Sequence, residues 1–439
     1  MKKVLLVWTC LLGTFLATFG QPSSENVAFS PKNGISNFIQ KAKNGEAVTV
    51  AYLGGSITKA EGWRVKNLAW LSSHFKNDSI VGINAGVGGT GSELGVFRLE
   101  QDVLRHQPDL IFVEFAVNDG NPKDDLPIRK AMEGIVRKIW KALPESDICF
   151  VYTLKEAFLG DLQHRLFPTA AAAHEMVAEY YGIPSLHLGF SVVEKLTKQE
   201  LIFTQKMGLD SLGYTENGKL VFSKDGVHPT LAGHEIYHQA LKEAILDMEN
   251  LSGNRPSSLK IPMLADNYED ARVVEITQVV QSGMSLLTAE SHPDYFLGDQ
   301  TYYDRFDTLI LGSLPFNNLT FQMHGSMVGI WEVKGPKRGD MLVTIDGGTP
   351  LTYREHKIKG FDKYSSRWRE GYRLLPPLEE KTYTVSIQVH PSIPEKKKIL
   401  QTHPDPKHVE KFMEHPEYFQ GTDLVIGRIL IRGKLVSAP

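Results

Sequence analysis

Ser56, Asn118, Asp225 and His228 are the residues whose types and surroundings in this sequence could carry out chemistry. Ser56 follows the apolar run 48–53 and two glycines, a pattern typical of a turn between a buried strand and a helix. Such a turn lifts a hydroxyl above a sheet and frees the backbone N–H, as a nucleophile that also stabilises an oxyanion requires. A plain turn capped by serine explains the same stretch.

Asp225 and His228 lie three residues apart in a stretch that is predicted to be a loop. Pro229 fixes the backbone beside the histidine, and Thr230 is suited to cap the helix that follows. A carboxylate that holds the tautomer of an imidazole lets the histidine take a proton from a serine. The spacing therefore indicates an acid and a base that could act on Ser56.

Two further histidines, His234 and His238, follow at helical spacing and raise the alternative of a metal site with His228. Carboxylate or thiolate ligands at a suitable spacing are missing, so the sequence favours no metal. A helix that carries histidines on its surface explains the pair.

A glycine-rich stretch, 84–92, follows the second predicted strand and precedes a helix. Phosphate- and dinucleotide-binding loops have a similar composition, but the lysine and the acidic residue that those loops need are missing here. The sequence therefore predicts no cofactor. The free N–H groups of such a loop suit any anionic oxygen.

Asn118 follows the third predicted strand, 110–115. At the end of a buried strand its amide could donate to an oxyanion. An Asx-turn or a helix cap would use the same residue structurally, so the residue alone leaves both interpretations open.

Short apolar runs and amphipathic segments alternate between residues 48 and 248. The predicted strands are 48–53, 80–84, 110–115, 148–152 and 184–188. The predicted helices are 63–75, 93–105, 128–143, 168–181 and 231–248, with a short helix within 21–45. This alternation predicts a parallel sheet with helices on both faces, whose functional sites lie at the carboxyl ends of the strands.

Four segments together resemble the SGNH, or GDSL-type, hydrolases over roughly residues 46–250: Gly54-Gly-Ser56, Asn84 to Gly89, Ala116-Val-Asn118-Asp and Asp225-Gly-Val-His228. The resemblance implies a flavodoxin-like, three-layer α/β/α fold and an esterase or acyl-hydrolase activity. It also implies that Ser56 is the nucleophile, with Asp225 and His228 as acid and base. The N–H groups of Ser56 and Gly89 and the amide of Asn118 would then form the oxyanion hole.

Two positions depart from the family pattern. Gly55 stands before the serine where the family usually has Asp, and Ala116 begins the block that usually begins with Gly. Neither departure removes a reacting group. Gly88 adjoins Gly89, so the backbone donor of the oxyanion hole could be either glycine.

The length of 439 residues suggests two domains. Residues 1–20 have the basic start and apolar run of a signal peptide, which predicts a secreted or periplasmic protein with no membrane span. Residues 21–250 would form the hydrolase domain and 251–265 a linker rich in Pro, Ser and Asn. In residues 266–439 the hydrophobic period changes to two, which predicts an antiparallel β-sandwich or jelly roll.

The predicted β domain is rich in aromatic residues, which could stack on sugars or could simply fill its core; they are Tyr302, Tyr303, Trp331, Tyr364, Trp368 and Tyr372. We favour the core interpretation for most of them. Loss of the two lysines in residues 1–20 would change the formal net charge from −3 to −5, which argues against a nucleic-acid partner. Cys149, the only cysteine after that segment, lies in an apolar run and is predicted to be a core residue.

The combined expectation is a secreted serine esterase that removes small acyl groups, most plausibly acetyl, from a carbohydrate, by Ser-His-Asp chemistry and without a cofactor. A lipase or lysophospholipase of the same family is a second hypothesis. No long apolar lid segment is evident, which argues against this second hypothesis. A glycan-binding protein with a degenerate catalytic domain is a third. The complete set of Ser, Gly, Asn, Asp and His argues against it. The oligomeric state is left open by the sequence.

Overall fold

A computed structural model describes residues 27–251, 258–281, 284–293, 306–313, 318–354, 369–401 and 406–437. The predicted signal peptide lies outside these residues. So do four of the six aromatic residues singled out in the β domain: Tyr302, Tyr303, Tyr364 and Trp368.

The first part of the chain is built on a six-stranded sheet. Its strands are β1 (Phe29–Ser30), β2 (Val48–Gly54), β3 (Ile80–Gly86), β4 (Leu110–Glu114), β5 (Asp147–Tyr152) and β6 (Ser185–His187). They lie in the order β1-β6-β5-β4-β2-β3, and all neighbours are parallel except β1 and β6. The order reverses between β2 and β4, and functional sites of open α/β sheets lie at such a switch point.

Helices cover both faces of this sheet. They are α1 (Ser36–Lys43), α2 (Ser56–Lys59), α3 (Trp63–Phe75), α4 (Ser92–Phe97), α5 (Leu99–Asp102), α6 (Ala116–Asp119), α7 (Leu126–Ala142), α8 (Leu159–Gln163), α9 (Thr169–Tyr181), α10 (Gly189–Thr197) and α11 (Leu231–Met248). Side chains of α4, α7 and α9 pack on one face, and those of α1, α3, α10 and α11 on the other. The predicted three-layer α/β/α arrangement is confirmed.

The helix predicted over 93–105 is wrong in detail, because α4 and α5 are separated at Arg98. The guanidinium of Arg98 is fully buried and donates to the carbonyl oxygens of Gly54 and Ala85, and to Asp102. A buried cation needs such acceptors, and the break in the helix allows the side chain to reach the ends of β2 and β3. The pattern also missed β1 and α10, together with a small pair of parallel strands, β7 (Leu201–Thr204) and β8 (Leu220–Ser223).

Cys149 lies on β5 and is 1% exposed, which confirms its prediction as a core residue. Burial raises the pKa of its thiol to about 12. Such a thiol is protonated at neutral pH and is a poor nucleophile.

The second part of the chain is an antiparallel β domain, as predicted. Its strands are β9 (Ala271–Glu275), β10 (Leu286–Leu287), β11 (Leu309–Gly312), β12 (Leu319–Lys334), β13 (Met341–Ile345), β14 (Leu351–Tyr353), β15 (Arg369–Leu374), β16 (Lys381–Val389) and β17 (Leu424–Ser437). Two short helices, α12 (Lys396–Gln401) and α13 (Lys407–Glu414), precede β17. The long strands β12 and β17 pair with each other and carry bulges. Apolar side chains from both strands fill a core of the β domain.

The two domains share apolar packing. Tyr268, Trp331 and Leu430 of the second domain belong to the same buried cluster as α4 and α7 of the first. Residues 258–265, part of the predicted linker, are also bonded to the first domain, since the N–H groups of Met263 and Leu264 donate to the carboxylate of Glu133. The exact domain boundaries stay a prediction.

Within the described ranges, no helix is both long enough and apolar enough to cross a membrane.

Candidate active site

Ser56 lies at the first residue of α2, directly after β2. Its hydroxyl oxygen is 2.8 Å from Nε2 of His228, which lies 172 residues further along the chain. The fold therefore brings together two residues that are far apart in the sequence.

Asp225 completes a chain of hydrogen bonds to the serine. Its Oδ2 is 2.7 Å from Nδ1 of His228, and its Oδ1 accepts from the backbone N–H groups of Val227 and His228. Burial acts to raise the pKa of Asp225, but the hydrogen bonds from the His228 ring and from these N–H groups outweigh it and hold the pKa well below its usual range. Because the carboxylate stays ionised, it can orient the imidazole and stabilise its charged form.

The loop that carries Asp225 and His228 is fixed at both ends. The buried hydroxyl of Ser223, at the end of β8, lies within hydrogen-bond distance of Asp225 Oδ1 and of the His228 carbonyl oxygen. Thr230 caps α11 as predicted, because its side-chain oxygen accepts from the Gly233 N–H. His228 is therefore anchored between a strand and a helix.

Gly89 and Ser56 supply backbone N–H groups that have no acceptor among the described residues. Gly89 has a φ of +74°, and a Cβ built on it would meet no atom within 4 Å. Its neighbour Gly88 does not share this left-handed conformation. Free N–H groups in a glycine loop are suited to receive an oxyanion.

Asn118 lies on α6, just beyond β4, and its Oδ1 is buried without a hydrogen-bond partner. A Cβ added to Gly55 would lie 1.9 Å from this oxygen. A side chain at position 55 would therefore collide with Asn118 in its present orientation, and Asn118 would have to move.

Two neighbours of the candidate site, Asp119 and His174, were missed by sequence reasoning. Asp119 Oδ1 accepts from the N–H of Ser92, at the start of α4, and Oδ2 is 2.8 Å from Nε2 of His174 on α9. Asp119 had a signal, since it adjoins Asn118. His174 had none, because it lies among alanines in an ordinary helical pattern.

Glu114 was also missed, since it is the last residue of an apolar strand. Its carboxyl group is fully buried, and it accepts from the hydroxyls of Thr58 and Thr153. Burial raises its pKa to about 7, although hydrogen bonds from both threonines and from the Gly55 N–H lower it. Glu114 thus bonds to one residue before Ser56 in the sequence, Gly55, and to one residue after it, Thr58.

The prediction of surface histidines on α11 is wrong. His234 and His238 are 4% and 8% exposed and lie against the region of α3. His234 Nδ1 accepts from the Trp63 N–H, so this imidazole caps the start of α3. In the described part of the chain, no group of three or more histidine, cysteine or carboxylate side chains is arranged to hold a metal ion.

Residues 52–236 match the model of the GDSL-like lipase/acylhydrolase family. The first domain belongs to this family. No curated protein matches the sequence.

Two solved structures are similar to the chain along nearly all of its length. One is a two-domain esterase (CEX) active on acetylated mannans, with a TM-score of 0.66 and 18% identity over 94% of this chain and 98% of the other. The second, of a two-domain esterase (CEX) active on acetylated mannans co-crystallized with mannopentaose, has a TM-score of 0.65 and 18% identity over 93% of this chain and 99% of the other. At this identity the likeness shows a common two-domain fold.

Proposed function

We propose that the protein is a serine esterase that removes small acyl groups, acetyl above all, from a carbohydrate. The observation that carries the proposal is the continuous hydrogen-bonded chain from Ser56 through His228 to Asp225. Membership of the first domain in an acylhydrolase family supports it independently.

In the proposed reaction, the Ser56 hydroxyl attacks the ester carbonyl carbon while His228 Nε2 takes the hydroxyl proton. The carbonyl oxygen gains a negative charge, which the N–H groups of Ser56 and Gly89 and the Asn118 amide stabilise. Collapse of this intermediate expels the sugar hydroxyl, which receives the proton from His228. A water molecule, activated by the same histidine, then releases the acid from Ser56.

The carbohydrate part of the proposal rests on the arrangement of both domains. The two similar structures are esterases active on acetylated mannans, and the likeness extends over both of their domains. In this chain Trp331 of the second domain lies in the same buried cluster as Ala116, which begins the segment that carries Asn118, and Tyr372 packs against that cluster. The β domain therefore packs beside an element of the candidate site, which supports a substrate that is larger than a simple ester.

The basic and then apolar N-terminal sequence supports export from the cytoplasm, where such polymers would be met. We include a secreted or periplasmic location in the proposal. Its test is the N-terminal sequence of the protein recovered from the producing cells, which should begin near residue 21.

The activity is tested by release of acetate from a panel of acetylated glycans, including mannan and xylan, by the wild type and by Ser56→Ala. We expect release from at least one glycan by the wild type and almost none by the variant, since losing a triad member costs several orders of magnitude. Equal release by a folded Ser56→Ala protein would overturn the assignment. Binding of the glycan without any hydrolysis would favour the degenerate, glycan-binding alternative.

Acyl-chain length separates the proposed activity from that of a lipase. We expect a higher kcat/KM for the two-carbon than for the twelve-carbon p-nitrophenyl ester. A clear preference for the longer chain would favour the lipase alternative.

A further inference from the structure

We propose that Asp119 and His174 are positioning residues that hold the two sides of the oxyanion hole in register. The inference rests on the proposed esterase function for its consequence in catalysis. Neither residue is part of the chain from Ser56 to Asp225, and neither would touch the substrate. Both act through the backbone and side-chain groups that would contact the substrate.

The carboxylate of Asp119 joins the two segments that supply the oxyanion donors. Asp119 directly follows Asn118, and its Oδ1 accepts the Ser92 N–H at 2.8 Å, where the glycine loop passes into α4. A Cβ added to Gly91 would lie 2.2 Å from the same oxygen. The loop that carries Gly89 is therefore packed directly on the carboxylate that follows Asn118.

His174 holds the other oxygen of this carboxylate. Its Nε2 is 2.8 Å from Asp119 Oδ2, and the two side chains are 0% and 4% exposed. Because an ionised carboxylate can only accept, the Nε2 atom carries the hydrogen in this bond. The second ring nitrogen, Nδ1, is buried without a partner.

An unpaired buried nitrogen costs stability, and an apolar residue would fill the same place at a lower cost. The imidazole ring lies near the rings of Phe150 and Tyr152 on β5, so the side of α9 that faces the sheet at His174 is otherwise largely apolar. Unlike an apolar residue, this histidine supplies a hydrogen bond to Asp119. Fixing the carboxylate in one rotamer fixes both donor segments, and misplacement of such groups by about 1 Å can cost 10²-fold in rate.

The first test compares His174→Leu with His174→Gln in hydrolysis of p-nitrophenyl acetate. The leucine lacks a donor, whereas the glutamine amide can replace Nε2. We expect His174→Leu to lower kcat by roughly 10-fold to 100-fold with a much smaller change in KM, and His174→Gln to recover most of the loss. If His174→Leu does not fold, His174→Phe, which is closer in shape, carries the same comparison.

A double-mutant cycle separates positioning from general loss of stability. In an Asn118→Ala background, one oxyanion donor is already lost, so His174→Leu should lower kcat by a clearly smaller factor than in the wild type. His187→Leu is the matched control, because His187 is another buried histidine with one unpaired ring nitrogen. This control should give equal factors in both backgrounds.

Hydrogen–deuterium exchange gives a readout that does not depend on activity. In His174→Leu the peptide that covers residues 87–92 should exchange faster than in the wild type, and in His187→Leu it should not. A wild type without esterase activity would contradict the proposed function, while this exchange result would still test the positioning pair. Equal loss of kcat in both backgrounds, or unchanged exchange at 87–92, would overturn the inference.

Discussion

Asn118 and Gly55 show how one residue at the site explains another. From the sequence, Gly55 is only a departure from a family pattern. In the structure it leaves the space that Asn118 Oδ1 occupies. The φ of Gly55 is −89°, which any residue can adopt, so the requirement for glycine there is one of space alone. The sequence could predict both residues, but it could not predict their contact, because 63 positions separate them.

Gly55→Ala should therefore lower kcat by moving Asn118. We expect a loss approaching that of Asn118→Ala itself, roughly 10²-fold to 10³-fold, with little change in KM. In an Asn118→Ala background the added methyl group finds space, so Gly55→Ala should then cost much less. Steady-state kinetics of the two single variants and of the double variant test this. Full, independent losses from both changes would contradict the steric explanation.

Asp225→Asn tests the orientation of the base. Oδ1 of residue 225 is held by two backbone N–H groups, so in the variant the amide NH₂ would face Nδ1 of His228. The imidazole hydrogen would then move to Nε2, which could no longer accept the Ser56 proton. We expect kcat for an activated acetate ester to fall by about 10⁴-fold.

Asp210→Asn is the matched control for that change. Asp210 also accepts backbone N–H groups in a loop, from Leu212, Gly213 and Tyr214, but it holds no histidine. An asparagine oxygen can keep these bonds, so we expect kcat to be unchanged. A similar loss in both variants would mean that loop structure, and not the tautomer of His228, explains the effect at position 225.

At the scale of elements, the alternation of apolar runs predicted the central strands and several helices, including α3 and α11, to within about one residue. Polar residues buried by distant partners were not predictable in this way. The break at Arg98 depends on carbonyl oxygens of β2 and β3, and the burial of Glu114 depends on threonines of α2 and of the segment after β5. A hydrophobic period indicates which face of a helix or strand is buried, but it does not identify the residues that its buried polar groups will bond to.

Glu114 should make the stability of the fold depend on pH. Its pKa is about 7 in the folded protein against an ordinary value of 4.5, so the folded state holds the proton more tightly. The carboxyl group therefore adds stability below pH 4.5, and this contribution is lost as the pH rises to about 7. For a fully buried group the loss is about 3 kcal/mol in the free energy of unfolding.

We expect Glu114→Gln to remove this dependence. The free energy of unfolding of the variant, minus that of the wild type, should increase between pH 4.5 and 7 and stay constant above it. Urea unfolding at half-unit steps of pH measures this difference. Thr153→Val removes a hydrogen bond that lowers the pKa of Glu114, so the loss of stability should still begin near pH 4.5 but should extend to a higher pH and become larger. A difference that does not change with pH would refute the prediction.

At the scale of the whole molecule, the change of hydrophobic period near residues 250–265 predicted two domains of different class. The sequence did not predict how tightly they are joined. Polar groups of α7 supply much of this connection, because Glu133, Arg137 and Lys138 all bond to residues between 260 and 271. These contacts join segments more than 120 positions apart, and a local pattern contains no information about them.

Lys138 and Lys141 provide a matched test of this connection on one helix. Lys138 is buried and donates to the carbonyl oxygens of Val96 and Ala271. Lys138→Met would leave both oxygens without this donor, so we expect the free energy of unfolding to fall by at least about 2 kcal/mol. Lys141 is 53% exposed, and Lys141→Met should change stability by no more than about 0.5 kcal/mol. Equal effects of the two changes would show that the buried bonds contribute little.

Shortening the chain at residue 255 is the strongest test at this scale. The shortened chain would keep Ser56, Asn118, Asp225 and His228, yet it would lose every second-domain contact of α7. Glu133, which is fully buried, would lose the N–H groups of Met263 and Leu264.

The shortened chain would also lose the second-domain side chains that cover the apolar face of α4 and α7. A buried carboxylate that has lost two of its donors and an uncovered apolar face both oppose folding. We therefore expect the shortened chain to aggregate, without near-ultraviolet circular dichroism and without activity even on p-nitrophenyl acetate. The full chain should unfold in a single calorimetric transition, since its domains share one apolar cluster. A monomeric shortened chain that unfolds cooperatively and hydrolyses the small ester would show instead that the first domain is an independent folding unit.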